Sequence, residues 1–168
     1  MNEVLAVLFY TFETENVSFD SKYFESDLFT VFCKIMEFLR DSFMRELDKE
    51  DSGLHGQITH YCEVLNHYDE ELYEIIEVEC KVPHQFYLLR WYMLLMCQDL
   101  SISDIMRLWD CLLAAEGPLI VNSDWPTKRF QYLTYIIVAL VSEEKQNIIE
   151  EGVEFASCMD NLQKATKK

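Results

Sequence analysis

Two arginines, each close to a tryptophan, stand in the most apolar part of the chain, FYLLRWYMLLMCQDLSISDIMRLWDCLL, Phe86 to Leu113. Arg90 adjoins Trp91, and Arg107 is followed by Trp109 and Asp110. A guanidinium stays charged and offers a planar fork of donors, so it suits two tasks: neutralising a phosphate or clamping a carboxylate. Arg90 shares helical spacing with Phe86, Met93, Leu94 and Cys97. A buried guanidinium without a partner is strongly unfavourable. The spacing therefore predicts a largely buried Arg90 clamped to a carboxylate or backbone carbonyls, with Asp110 the favoured partner. A charge at the floor of a partner-binding groove is the alternative. Asp104, Arg107 and Asp110 lie at i, i+3 and i+6 and predict an ion-pair ladder on one helix face. Trp109 shares a stripe with Ile105, Leu112 and Leu113 and reads as core.

Other chemistries find less support. The cysteines at 33, 62, 80, 97, 111 and 158 form no C-x-x-C pair and sit mostly at apolar helical positions. They read as small core residues of a reducing compartment. The histidines at 55, 60, 67 and 84 form neither H-x-x-x-H nor H-E-x-x-H, so no metal site is expected. There is no glycine-rich phosphate loop, no G-x-S-x-G, and no cysteine with a motif-defined histidine partner. An unrelated helical enzyme is therefore disfavoured.

The elements that must hold these residues are helices. Half of the 168 residues are apolar, which suits one domain with a real core. Four glycines and three prolines are too few turns for a many-stranded β protein. Val4, Leu5, Leu8, Phe9 and Phe12 make one helical face; Leu28, Phe29, Phe32, Ile35, Met36, Leu39 and Phe43 make another, with Ser26 or Asp27 as N-cap. A third helix spans Leu54 to His67, and a fourth opens on Asp69-Glu70-Glu71 with the stripe Leu72, Ile75, Ile76 and Cys80. Pro83 opens a fifth, apolar nearly all round from Phe86 to Cys97 and so central to the fold. Ser101 or Ser103 caps the sixth, which stops at Gly117-Pro118. Asp124 and Pro126 start a seventh through Leu140, and shorter pieces come after it around Ile148 and from Phe155 to Ala165. The reading is an all-α domain.

Charge narrows the partners. Fourteen basic against thirty acidic side chains leave −16, which repels nucleic-acid backbones and anionic membranes. Asp41 to Cys80 alone holds twelve carboxylates against Arg45 and Lys49. This is either a solvated acidic flank or a docking surface for a basic partner. MNEVLAVLFYTF has no basic n-region or cleavage pattern, and the uncharged run Phe130 to Ser142 is shorter than the roughly 20 residues a transmembrane helix needs. A soluble, intracellular chain is expected.

Four segments in order carry a resemblance. FYLLRWYMLLMCQDLSISDIMRLWDCLLA resembles the FF-x-RW-x-LLL…E-x-x-x-x-D-x-x-RLWD-x-LLA stretch of TBC domains, the Rab GTPase-activating proteins. DEELYEIIE is similar to their D-x-ELY-x-x-L helix, and DLFTVFCKIMEFLRDSFMRELD to a D-x-F-x-x-F-x-x-LM helix. MNEVLAVLFYTF is similar to the segment immediately after Y-x-Q-G. VPHQFYLLRW and QNII…LQKA look most like one branch of the family. The match runs from Met1 to about Leu140, with a weaker tail over 141–168.

The resemblance implies a multi-helix Rab-GAP fold, represented by its C-terminal portion as a single domain over 1–168. It implies a GTP-bound Rab-family GTPase as partner, no cofactor, and a cytoplasmic place peripheral to endomembranes through that GTPase. Arg90, Trp91, Arg107, Trp109 and Asp110 become a mainly architectural motif. Family members supply an Arg from I-x-x-D-x-x-R and a Gln from Y-x-Q-G to the nucleotide; stabilising the γ-phosphate charge this way brings roughly 10³–10⁵ in rate. Neither motif occurs among these 168 residues, so no catalytic residue carries over. The expectation is a chain truncated before Met1 or a finger-less relative, with Met1, Asn2 and Glu3 facing the GTPase. A non-catalytic interaction module is the competing function.

Overall fold

The computed structural model describes residues 2–14, 22–43, 53–114 and 128–166. The architecture is all-α. In chain order the helices are α1 (Asn2–Thr14), α2 (Phe24–Phe43), α3 (Leu54–Tyr68), α4 (Glu70–Glu74), α5 (Gln85–Leu94), α6 (Ile102–Ala114), α7 (Lys128–Glu143), α8 (Lys145–Glu151) and α9 (Phe155–Lys164). The expected starts at Asp124 and Pro126 and the stop at Gly117-Pro118 lie outside the described residues. No strand occurs among the described residues.

The core gathers around α5, which packs against α2, α3 and α9. Tyr87, Leu88, Trp91 and Tyr92 are buried on it, against Tyr61 and Leu65 of α3, Leu39 of α2 and Leu162 of α9. Each such side chain contributes roughly 1.5–3 kcal/mol by leaving water. Helix α7 adds Leu133 and Ile137, packing on α3 and α6.

Several sequence expectations need correction. Helix α5 is not apolar-buried all round: Phe86 and Leu89 face solvent. It starts after Pro83 and ends at Leu94, before Cys97. On α1 the buried face is Val4, Val7, Leu8 and Phe12, while Leu5 and Phe9 are exposed. Helix α2 begins at Phe24, ahead of Ser26 and Asp27.

Helix α4 widens into a π-helical turn over Ile75–Glu79, where Cys80 N–H donates to the Ile75 carbonyl at 2.8 Å, five residues back. Ile75, Ile76, Cys80 and, just past the turn, Val82 are all buried in the core.

Asp69 turns the chain between α3 and α4. Its N–H donates to the Leu65 carbonyl at 2.8 Å and its carboxylate accepts from Leu72 N–H at 3.0 Å. The same carboxylate holds Lys145 Nζ at 2.7 Å, joining this corner to α8. Lys145 also reaches Glu71 at 2.8 Å, and these two acceptors hold its ammonium pKa above the usual lysine value. Asp69→Ala should cost about 1–2 kcal/mol, through the lost cap and the loosened pair. Glu71→Ala, which leaves the cap intact, should cost less than about 0.5 kcal/mol. Urea denaturation of both variants measures the difference.

Candidate functional site

Of the residues singled out from the sequence, Arg90, Trp91 and Trp109 converge on the reversal that succeeds α5. This helix ends because Leu95 and Met96 take left-handed backbone conformations, with φ of 47° and 60°. Non-glycine residues rarely adopt that region. Both side chains are buried, so the turn is an integral part of the core. Met96 N–H donates to the Trp91 carbonyl at 3.1 Å, and Asp99 N–H to the Met96 carbonyl at 3.0 Å.

Side-chain bonds from four elements hold this reversal. Arg90 donates from Nε to Asp99 Oδ2 at 3.1 Å and from Nη2 to Oδ1, a bidentate clamp. Thr166 Oγ1, just past α9, donates to the same carboxylate at 3.4 Å. The indole N–H of Trp109 on α6 donates to the Leu95 carbonyl at 3.2 Å. Gln98 Nε2 donates to Glu3 Oε1 on α1 at 3.1 Å.

The partner of Arg90 is thus Asp99, and the expectation of Asp110 is overturned. Asp110 sits on the outward face of α6, whereas Asp99 comes back under Arg90 through the left-handed turn. Arg90 is also less buried than its apolar neighbours suggested: its side chain is 41% exposed and the carboxylate beneath it 1%. The buried charge is the acid, and the arginine lids it.

Trp91 is fully buried with its ring 5.5 Å from Tyr87, and its indole N–H has no acceptor among the described residues. Arg107 is 83% exposed and only skirts Asp104 at 4.0 Å. Arg107 and Asp110 therefore do not join the buried clamp. Of the GTPase-facing candidates, Met1 lies outside the described residues, Asn2 is exposed, and Glu3 is half-buried and engaged by Gln98. The Glu3 carboxyl is held below its ordinary pKa, first by its backbone amide in the opening turn of α1 and in smaller part by Gln98. Ser101 is the cap of α6: its hydroxyl oxygen accepts from Asp104 N–H at 3.3 Å.

A second polar cluster carries no sequence motif. His84 is buried just before α5, stacked on Tyr73 with centroids 6.0 Å apart and edge-on to Tyr61 and Tyr87. The Tyr87 hydroxyl donates to the Tyr61 hydroxyl at 3.2 Å and lies 2.5 Å from His84 Nδ1. The His84 Nε2 lies 3.1 Å from Glu77 Oε2 without hydrogen-bond alignment. Burial pushes the His84 pKa below its usual value, against the opposing pull of Glu77. Only the apolar flanks of this histidine, VP before and QFYLL after, carry a signal in the sequence.

The Rab-GTPase-TBC domain family model matches residues 1–149. The chain belongs to the TBC domain family. A TBC domain-containing protein of Schizosaccharomyces pombe is 30% identical over 167 residues, covering 97% of this chain and 26% of that protein. Human TBC1 domain family member 13 is 29% identical and its mouse counterpart 30%, each over 150 residues, 89% of this chain and 34% of theirs. The chain thus spans a quarter to a third of the length of these curated relatives. No solved structure matches it. In this TBC chain the Arg-Trp and RLWD segments are α5 and α6, joined through Trp109 and the left-handed turn.

Two outcomes are expected. Arg90→Met leaves the Asp99 carboxylate buried with Thr166 alone, and should destabilise by about 3 kcal/mol, less than a fully buried pair because the arginine is partly solvated. Adding Asp99→Leu should recover part of that loss, as chemical denaturation of single and double variants will read. Separately, His84 binds its proton more weakly folded than unfolded. Its contribution is therefore present above the unfolded pKa of about 6.5 and is lost as pH falls below that value, at most about 1.4 kcal/mol per pH unit. Stability curves between about pH 7 and 5.5 should flatten in His84→Gln.

Proposed function

We propose that this chain is the C-terminal portion of a GTPase-activating domain for a Rab-family small GTPase, and that it acts as a regulator in vesicle trafficking. The observation that carries the reading is the family match over residues 1–149, with the DEELYEIIE, Arg-Trp and RLWD segments falling on successive helices. Hydrolysis belongs to the partner. The GTP-bound form is the state such a regulator would engage, which puts the chain at endomembranes through that partner; no described helix is long and apolar enough to cross a membrane.

The 168 residues contain no I-x-x-D-x-x-R, and none of the glutamines 57, 85, 98, 131, 146 and 163 stands in Y-x-Q-G. Without an inserted cation, the charge spreading over the γ-phosphate oxygens is no better stabilised than in the lone GTPase. A surface rich in carboxylates does not substitute, because negative charge raises that barrier. Binding is separable from this chemistry. Asn2 and Glu3 at the start of α1 are the residues we assign to the side of the GTPase, with Gln98 orienting Glu3.

By itself the chain should leave single-turnover GTP hydrolysis across a Rab panel at the intrinsic rate, while a finger-bearing TBC domain run alongside accelerates it. Stimulation of about ten-fold or more by the chain alone would put catalysis on residues other than the fingers. Binding to GTP-loaded Rab, weakened by Glu3→Lys and retained by a folded Arg107→Ala control, separates a Rab-directed module from one directed elsewhere.

A further inference from the structure

Helix α1 is apolar on two faces, and the fold uses one of them. The nine residues from Val4 to Phe12 carry no charge. Val4, Val7, Leu8 and Phe12 are buried as α1 packs against α2 and α6. On the opposite face Leu5, Ala6, Phe9 and Tyr10 are all exposed, Phe9 at 50% and Tyr10 at 46%. Phe9 stands edge-on to half-buried Phe24 with centroids 5.5 Å apart, so the apolar surface runs on into α2. A helix that is apolar all round belongs in an interior. Here it lies at an edge.

Charge and spacing select what covers this face. A second copy would bring one chain of net charge −16 against another. An anionic membrane is repelled for the same reason, and a helix built to lie on one carries Lys or Arg on its polar face, which α1 does not. Between Glu3 and Glu13 the face offers no charge to a basic or an acidic segment, so only another apolar surface gains by covering it. Asn2, Ala6 and Tyr10 make one exposed i, i+4 row, and Leu5, Phe9 and Glu13 the next. Such rows are the ridges between which a second helix seats its side chains, and the small Ala6 leaves room for its approach. The chain spans a quarter to a third of the length of its curated relatives, so each of them has further polypeptide to lay on such a face.

We propose that this face of α1 docks an apolar helix from the N-terminal portion of a TBC domain. The proposal rests on the reading of this chain as the C-terminal portion of such a domain, and it names the surface through which the two portions join. Joining there brings the N-terminal portion beside Asn2, at the head of one exposed row.

The test is co-expression of the intact chain with the portion of human TBC1 domain family member 13 upstream of its matched segment, purified through a tag on the chain. The two should co-purify in equal amounts. Ala6→Arg removes no packing from the chain itself and stands a long cation between the rows. It should cut recovery of the partner about ten-fold or more, and Leu5→Asp/Phe9→Asp should do the same. Val78→Asp/Ile149→Asp, which alters exposed apolar residues of the π-helical turn and α8, should change recovery less than about two-fold. Circular dichroism first checks that each variant is folded. No co-purification with the unaltered chain, or undiminished recovery with both α1 variants, would overturn the proposal. So would sedimentation showing that the chain alone self-associates through the same residues. A joined pair that leaves Rab hydrolysis at the intrinsic rate would support the join and count against the Rab reading. An unjoined chain that still binds GTP-loaded Rab would overturn the join and leave that reading standing.

Discussion

The reversal after α5 is the constraint on which the rest of the structure depends. Leu95 and Met96 both adopt left-handed backbone geometry without glycine's freedom, a local cost of about 1–2 kcal/mol per residue. That geometry persists because the surroundings over-determine it. The Trp109 indole fixes the Leu95 carbonyl, and the Arg90–Asp99 clamp fixes the far side. Both apolar side chains gain burial that a solvent-exposed turn would deny them. The same few residues tie α1 through Gln98, α6 through Trp109 and the end of α9 through Thr166. A fault here would be felt in several helices at once.

This explains why charged residues belong in so apolar a stretch. A buried carboxylate must be satisfied by donors, and a bidentate guanidinium fills both oxygens in one geometry. Placing the arginine on the half-exposed side limits desolvation to one partner and leaves the clamp partly wet. The motif read from the sequence thus divides in two. Arg90, Trp91 and Trp109 hold the fold, while Arg107 and Asp110 lie on the surface.

The buried cluster around His84 obeys the same logic by a different route. Three tyrosine rings surround the imidazole, and the Tyr87 hydroxyl supplies the polar contact that its burial demands. The neutral form suits this site. The π-helical turn brings Glu77 up to Nε2, so a small irregularity in one helix determines the electrostatics at the start of another.

What the sequence determined by itself was the periodic part. Apolar spacing of 3.6 residues outlined α2, α3, α6 and α9, and the motif order identified the family, because both depend on side chains close together along the chain. Local capping was legible at Ser101 and in the acidic first turn of α4 for the same reason. The partner of Arg90, the end of α5, the rotation of α1 and the burial of His84 were decided by tertiary structure. Asp99 meets Arg90 only because Leu95 and Met96 turn left-handed, and neither leucine nor methionine signals such a turn. Phe86 and Leu89 read as core by composition yet face solvent, since hydropathy says how much surface a residue would bury but not whether another element arrives to cover it.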